Sequence, residues 1–278
     1  YKQDKRPFPK HRQTMRNYNT TISLTKNKRG IWDLDPIKGC KSGLANSENG
    51  CYNDCYAYKT AKRYGIDFSV SVERDFEDYN HLNRVIEMIE KVDMPFIRMG
   101  CSGDPSENWK HTINIISKLR NKTQLSLFDY NSTKQIVIIT RHWNVLTDEQ
   151  LEQLSKFNIC INTSISALDK EEVLNNCLKQ YNRLKPFCKS VLRIVSCDFN
   201  LNNNEGLKLS LVQDSLFKNE HTLDTVFRPS KSNKLVIDGM INTKQMAFMK
   251  SKTLVSKFNK KAYLGKCNTC LEMCGLNI

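Results

Sequence analysis

Three thiols, Cys40, Cys51 and Cys55, fall within sixteen residues of a stretch rich in Gly and Asn, ending Gly50-Cys51-Tyr-Asn-Asp-Cys55-Tyr56-Ala57. Asn, Gly and Asp neighbours do not build an apolar core, so these thiols are expected to hold metal. Three thiolates can ligate three irons of a four-iron cluster and leave the fourth open to a small molecule. Zinc is the alternative, and it would need a fourth ligand from a distant part of the chain. Gly39, Gly43 and Gly50 let the backbone wrap closely around such a centre. A second triplet, Cys267, Cys270 and Cys274, reads C-x2-C-x3-C and precedes Gly275. It is expected to hold either a second 4Fe-4S cluster or zinc, with Cys101, Cys188 or Cys197 as distant fourth ligand. The five remaining cysteines are scattered and read mostly as small buried hydrophobes. Tight triplets in a chain without a visible signal peptide favour metal over disulfides.

The elements that must position these thiols alternate. Runs of β-branched and apolar residues mark strands at 30–36, 96–100, 136–140, 159–166, 190–196 and 225–227. Helical periodicity lies between them, at 81–92, 106–119 (with Ser106 as N-cap), 147–157, 169–184 and 207–217. Thr147-Asp-Glu-Gln150 reads as a capping box. Alternating strands and helices argue for a parallel sheet, here a partial (β/α)6 TIM-like barrel over residues 30–230. Residues 1–29 read as a basic arm, and 231–278 as a basic, helical extension that carries the second triplet.

In barrels, chemistry sits on the loops after the strands. Those loops supply the candidate binding residues. They are Ser102, Gly103 and Asp104 after the second strand, Thr140 and Arg141 after the third, and Ser164 and Ser166 at the end of the fourth. Arg193 lies inside an apolar strand and would need an anionic partner if it faces inward. The alternatives are an ordinary turn for 102–104, a surface ion pair for Arg141 and an acidic core neighbour for Arg193. His142 beside Trp143 could stack on a base or pack within its loop.

The cysteine loop after a first strand, the Gly100-Cys-Ser-Gly-Asp104 segment after the second, and the barrel alternation together resemble the radical S-adenosylmethionine (SAM) superfamily. The likeness is to a phage- and mobile-element-associated branch with Gly-Cys, a variable insert, Cys, and a closing Cys-Tyr-Ala. The insert here is longer than in the common superfamily motif, and the aromatic Tyr56 follows the last Cys. The resemblance implies that Cys40, Cys51 and Cys55 ligate a 4Fe-4S cluster and that S-adenosylmethionine occupies its open iron. It further implies a 5′-deoxyadenosyl radical that abstracts a substrate hydrogen, and an electron donor of flavodoxin or ferredoxin type.

The net charge of +14 is concentrated at the two ends. Residues 1–30 carry nine Lys/Arg against Asp4, and residues 231–266 carry nine Lys against Asp238. Basic ends around a near-neutral body suggest a nucleic acid substrate, although an AT-rich genome would leave the same Lys/Asn bias. A peptide or protein substrate handled with an auxiliary cluster is the alternative within the class. A non-catalytic, zinc-stabilised nucleic-acid-binding protein is the alternative outside it. No apolar run approaches the ~18 residues of a membrane span, so a cytoplasmic location is expected.

Overall fold

In the computed structural model, residues 15–27, 29–45, 55–121, 134–197, 199–226, 234–236 and 270–278 are described. Cys51, Cys267 and most of the 1–29 arm and the 231–278 extension lie outside them.

The longest strands are those buried along most of their length. Gln135–Thr140 (β6) reads QIVIIT, Ile159–Ile165 (β7) is buried throughout, and Lys189–Ser196 (β8) reads KSVLRIVS. Runs of this kind belong to sheets covered on both sides. With Thr25–Lys26 (β1), Trp32–Asp33 (β2), Phe96–Met99 (β5) and Thr222–Val226 (β9) they form a seven-stranded sheet in the order β1-β2-β5-β6-β7-β8-β9. All neighbours are parallel except β1, which pairs antiparallel with β2 at the edge. A separate two-stranded antiparallel pair joins Ile37–Lys38 (β3) to Val72–Glu73 (β4).

Helices fill the crossovers. Lys41–Ala45 (α1), Tyr56–Arg63 (α2) and Tyr79–Glu90 (α3) lie between β2 and β5; Trp109–Asn121 (α4), Asp148–Ser155 (α5), Glu171–Leu184 (α6) and Asn204–Leu216 (α7) follow. The apolar stripe expected on α3 is buried as Leu82, Val85 and Ile89, and Asp78 caps its first turn by accepting from His81 N. The Thr147/Gln150 capping box is present at α5. The helix expected from Ser106 is instead a 3-10 turn, Pro105–Asn108, leading into α4 and capped by Asp104. A proline at the first helical position moves the cap one residue upstream of it. The helix expected from Asp169 starts at Glu171, because Asp169 turns back to accept from Ser166 N. The strand expected at 30–36 is only two residues long, and Gly30 enters it through a left-handed turn (φ 87°).

The strands follow chain order without reversal, and right-handed crossovers then place the helices on one face. Ile165, Leu192 and Ile194 pack there with Cys177 and Tyr181 of α6 and Leu216 of α7. Side chains alternate along a strand, so Asn162, Ser164, Val191 and Arg193 point to the opposite face. The register carries that face across the sheet: Arg98 pairs with Asp33 and Val137, Val137 with Cys160, and Ser164 with Arg193. Among the described residues, no helix is long and apolar enough to cross a membrane.

Candidate functional site

The cysteine loop is held against the 100–104 loop by two glycines. Gly39 N donates to Ser102 O at 2.9 Å, and Gly39 and Gly103 form an isolated parallel bridge. A Cβ on Gly103 would sit 2.5 Å from Ile37 O and 2.7 Å from Gly39 O, and one on Gly39 (φ 85°) would sit 2.0 Å from Val70 O. Backbone alone therefore fits at both positions. Cys40 leaves this contact with its N–H bonded to Phe68 O. Its Sγ lies 3.6 Å from Glu107 Oε1, which also accepts from Ser42 N at 2.8 Å. Cys55 is the N-cap of α2, and its side chain makes no capping bond. A thiol at a helix N-terminus is favoured as thiolate. Cys40 and Cys55 are both half-buried and pack on one small cluster, Ala57, Ala61 and Phe68. Two of the three expected ligands are thus brought together.

Asp35, which the sequence reading passed over, organises the neighbouring loop. Its carboxylate accepts from Gly100 N, Cys101 N and Ser102 N, each at 2.9 Å. Burial pushes the Asp35 carboxyl up, and the N–H groups of Cys101 and Ser102 act against this. Tyr56 Oη donates to Cys101 O at 2.6 Å, tying the start of α2 to the same loop. The Cys101 thiol lies 3.1 Å from Asp33 Oδ1, and Arg98 donates to both Asp33 oxygens. Burial holds the Cys101 thiol well above its ordinary pKa. The alternation of Asp33 and Asp35 in Trp-Asp-Leu-Asp-Pro was the available signal, since it points both carboxylates the same way.

The eight candidate binding residues divide into three groups. Asp104, Thr140, Arg141 and Ser166 hold one another. Asp104 accepts from Ser106 N, Ser106 Oγ and Thr140 Oγ1 through one oxygen and from Arg141 N through the other. Burial raises the Asp104 carboxyl, and these donors oppose it. The Arg141 guanidinium pairs with Asp169 and lies 5.5 Å above the Trp143 ring. Ser166 belongs to the same turn through Asp169. His142, fully buried beside it, meets Thr163 Oγ1 at 2.9 Å, and burial followed by the Arg183 charge lowers its pKa to about 3. Ser102 and Gly103 form the edge of the cysteine loop. Ser164 and Arg193 face the opposite side of the sheet, where Arg193 Nη1 donates to Ser164 Oγ at 3.0 Å. Among the described residues, no carboxylate forms an ion pair with Arg193.

The segment Cys270–Ile278 lies on that same face. Asn162 Nδ2 donates to Cys274 O at 2.9 Å, and Lys189 Nζ donates to Leu276 O at 2.5 Å. Gly275 (φ 93°) sits over Val191, where a Cβ would come within 2.8 Å of Cγ2. Met273 and Cys274 are also left-handed (φ 44° and 55°), so three successive residues turn Cys274 onto the sheet. Burial raises the Cys274 thiol, and Arg98 and Arg193 pull it down. Of the distant ligands considered for this triplet, Cys197 is fully buried with Ala167, Phe199 and Val236, and Cys188 is pushed up to about 12 by burial. Cys101 shares the field of Arg98 and Arg193 with Cys274. Among the described residues, no three His, Cys, Asp or Glu side chains converge as a metal-binding group.

Compared with protein-family models, curated proteins and solved structures, the chain has no match.

Proposed function

We propose that this chain is a radical SAM enzyme whose cluster is held by Cys40, Cys51 and Cys55. The observation that carries the reading is the Gly39–Gly103 contact, which packs the cysteine loop against the loop following β5 with only backbone between them. Sequential parallel strands without reversal are the order of a partial (β/α)6 barrel, and this site lies beyond the C-terminal end of β5, where barrel chemistry is found. The residues present fit the group: two half-buried thiols on one apolar patch, glycine where close approach is needed, and an Arg193 guanidinium opposite Ser164 that has no carboxylate partner among the described residues.

When bound, a 4Fe-4S cluster with S-adenosylmethionine supplies a 5′-deoxyadenosyl radical for hydrogen abstraction. The chain's own residues bind and orient. Arg193 and Ser164 offer a charged, bidentate-capable site for a carboxylate. Ser102 and Gly103 present backbone at the edge of the cysteine loop. Asp35 fixes the Gly100, Cys101 and Ser102 N–H groups of the loop after β5, while Asp104, Thr140, Arg141 and Ser166 brace the strand ends on the helix side. Cys270 and Cys274 would carry a second metal on the face that holds Arg193. The basic ends favour a nucleic acid substrate.

The test is anaerobic purification with iron, sulfide and zinc measured per chain, and spectra before and after dithionite. About eight irons and a broad band that bleaches are expected. About four irons with zinc would keep the enzyme and make the C-terminal triplet structural. Zinc alone after anaerobic reconstitution would overturn the reading and leave a zinc-stabilised nucleic-acid-binding protein.

A further inference from the structure

Lys38 stands at the root of the cysteine loop, immediately before Gly39 and Cys40. Its backbone is fixed on two sides. It pairs with Val72 across β3 and β4, and a Cβ on Gly103 would come within 2.9 Å of its Cα. The half-buried side chain reaches over Tyr18, with Nζ 5.6 Å from the ring centroid. Tyr18 in turn packs on the Ala57, Ala61 and Phe68 cluster, which also carries Cys40 and Cys55. The ammonium is thereby held beside the two thiols. It lies in electrostatic range of Asp35, Asp33 and Cys101, with Arg74 as the opposing charge. Both carboxylates are committed elsewhere: Asp33 to Arg98, and Asp35 to the N–H groups of residues 100–102. Among the described residues, Lys38 Nζ makes no ion pair and no hydrogen bond. An ammonium carries three donors, and partial burial makes an anionic partner for them favourable. Arg193 and Lys38 both lie in electrostatic range of the Cys101 thiol. Two cations without a carboxylate partner therefore face the loop after β5. One suits the carboxylate of S-adenosylmethionine, and the other calls for a second anion.

We propose that Lys38 anchors a phosphate of a single-stranded nucleic acid substrate beside the cysteine site. The inference rests on the functional reading above, in which Arg193 takes the cofactor carboxylate. The basic N-terminal arm points to phosphate as the second anion. Residues 1–30 carry nine Lys/Arg, and the described part of this arm joins the fold at the same place. Arg16 N donates to Gly65 O, and Tyr18 lies under the Lys38 ammonium. A strand tracked by the arm is thus led to Lys38, where lysine acts on phosphate as a point charge. A single strand is specified because a base inside a duplex is out of reach of a recessed site.

Fluorescence anisotropy of the full chain with a short single-stranded RNA, repeated across salt concentrations, reads this contact and needs no iron. Lys38→Gln should weaken binding by about tenfold. It should also reduce the slope of log K against log salt by about 0.7, the counterion release of one phosphate contact on a single strand. Lys38→Arg keeps the charge and should keep the slope. Lys208→Gln, exposed on α7, should change neither; a loss as large as that of Lys38→Gln overturns the proposal, because binding is then spread over the surface. Equilibrium dialysis of S-adenosylmethionine with iron-loaded protein separates the two anions. Its affinity should be unchanged in Lys38→Gln. Loss of cofactor binding with RNA binding intact assigns Lys38 to the cofactor carboxylate and overturns the proposal. So does a Lys38→Gln variant that melts earlier and loses iron but keeps the salt slope, the behaviour of a structural lysine. A chain that binds RNA through Lys38 yet takes up no iron sinks the functional reading and leaves the anchor standing.

Discussion

Arg193 sits between Leu192 and Ile194, both fully buried, and its guanidinium has only the Ser164 hydroxyl as hydrogen-bond partner among the described residues. Burial and the neighbouring Arg98 charge lower its pKa, so an anion delivered there is strongly favoured. Arg193→Gln should weaken S-adenosylmethionine binding by about ten- to a hundredfold, the worth of one charged hydrogen-bonded contact. Equilibrium dialysis on the reconstituted protein reads this directly; unchanged affinity with unchanged iron would remove Arg193 from the site. His142 makes a prediction of the opposite kind. Its folded pKa of about 3 lies below the ordinary value. Below about pH 6.5 the unfolded chain takes up a proton that the folded chain does not, and stability falls by about 1.4 kcal/mol per pH unit. Urea unfolding of wild type and His142→Asn at descending pH should show a shallower loss in the variant. Comparing the two chains isolates the imidazole from Asp35 and Asp104, whose raised pKa values act with the opposite sign. At this scale the sequence was readable where a residue stands out against its own strand, as with Arg193 between Leu192 and Ile194. It was not readable where roles depend on long-range pairing: Arg141 meets Asp169, and Asp35 meets 100–102, only after folding.

The elements differ in how strongly their own sequence specifies them. β6, β7 and β8 were legible because each carries a run of β-branched and apolar residues of strand length, and α5 because its capping box is local. β3 and β4 were not, since two-residue strands have no period to detect. The short pair matters nonetheless, because β3 leads directly into Gly39 and the contact with Gly103. Gly103→Ala would drive a Cβ into Ile37 O and Gly39 O. It should lower the melting temperature and abolish iron retention together. Gly30→Ala has open space around it and pays only the left-handed backbone strain, roughly 1–2 kcal/mol, with metal content unchanged. Thr147→Ala removes half of a capping box and should cost about 1 kcal/mol, again without touching the metal. Iron per chain across the three variants separates the site contact from general stability.

At the scale of the molecule, the parallel sheet followed from alternation, but the destination of the C-terminal cysteines did not. They were expected on a separate extension, and nothing local in Leu-Asn-Ile marks a segment that will dock on a sheet. Met273, Cys274, Leu276 and Ile278 nevertheless pack against the main core. Removing residues 270–278 should cost on the order of 4 kcal/mol, from four half-buried side chains at about 1 kcal/mol each, and a urea titration would measure it. The seating of this segment also bears on how the chain folds. Asn162 and Cys274 are 112 positions apart, and Lys189 and Leu276 are 87 apart. Closing a loop of that length costs roughly 4 kcal/mol of chain entropy before any contact is gained, so the sheet forms first and the segment settles last. Perturbing Asn162 or Gly275 should then leave the refolding rate nearly unchanged and accelerate unfolding. The last piece to arrive is the first to let go.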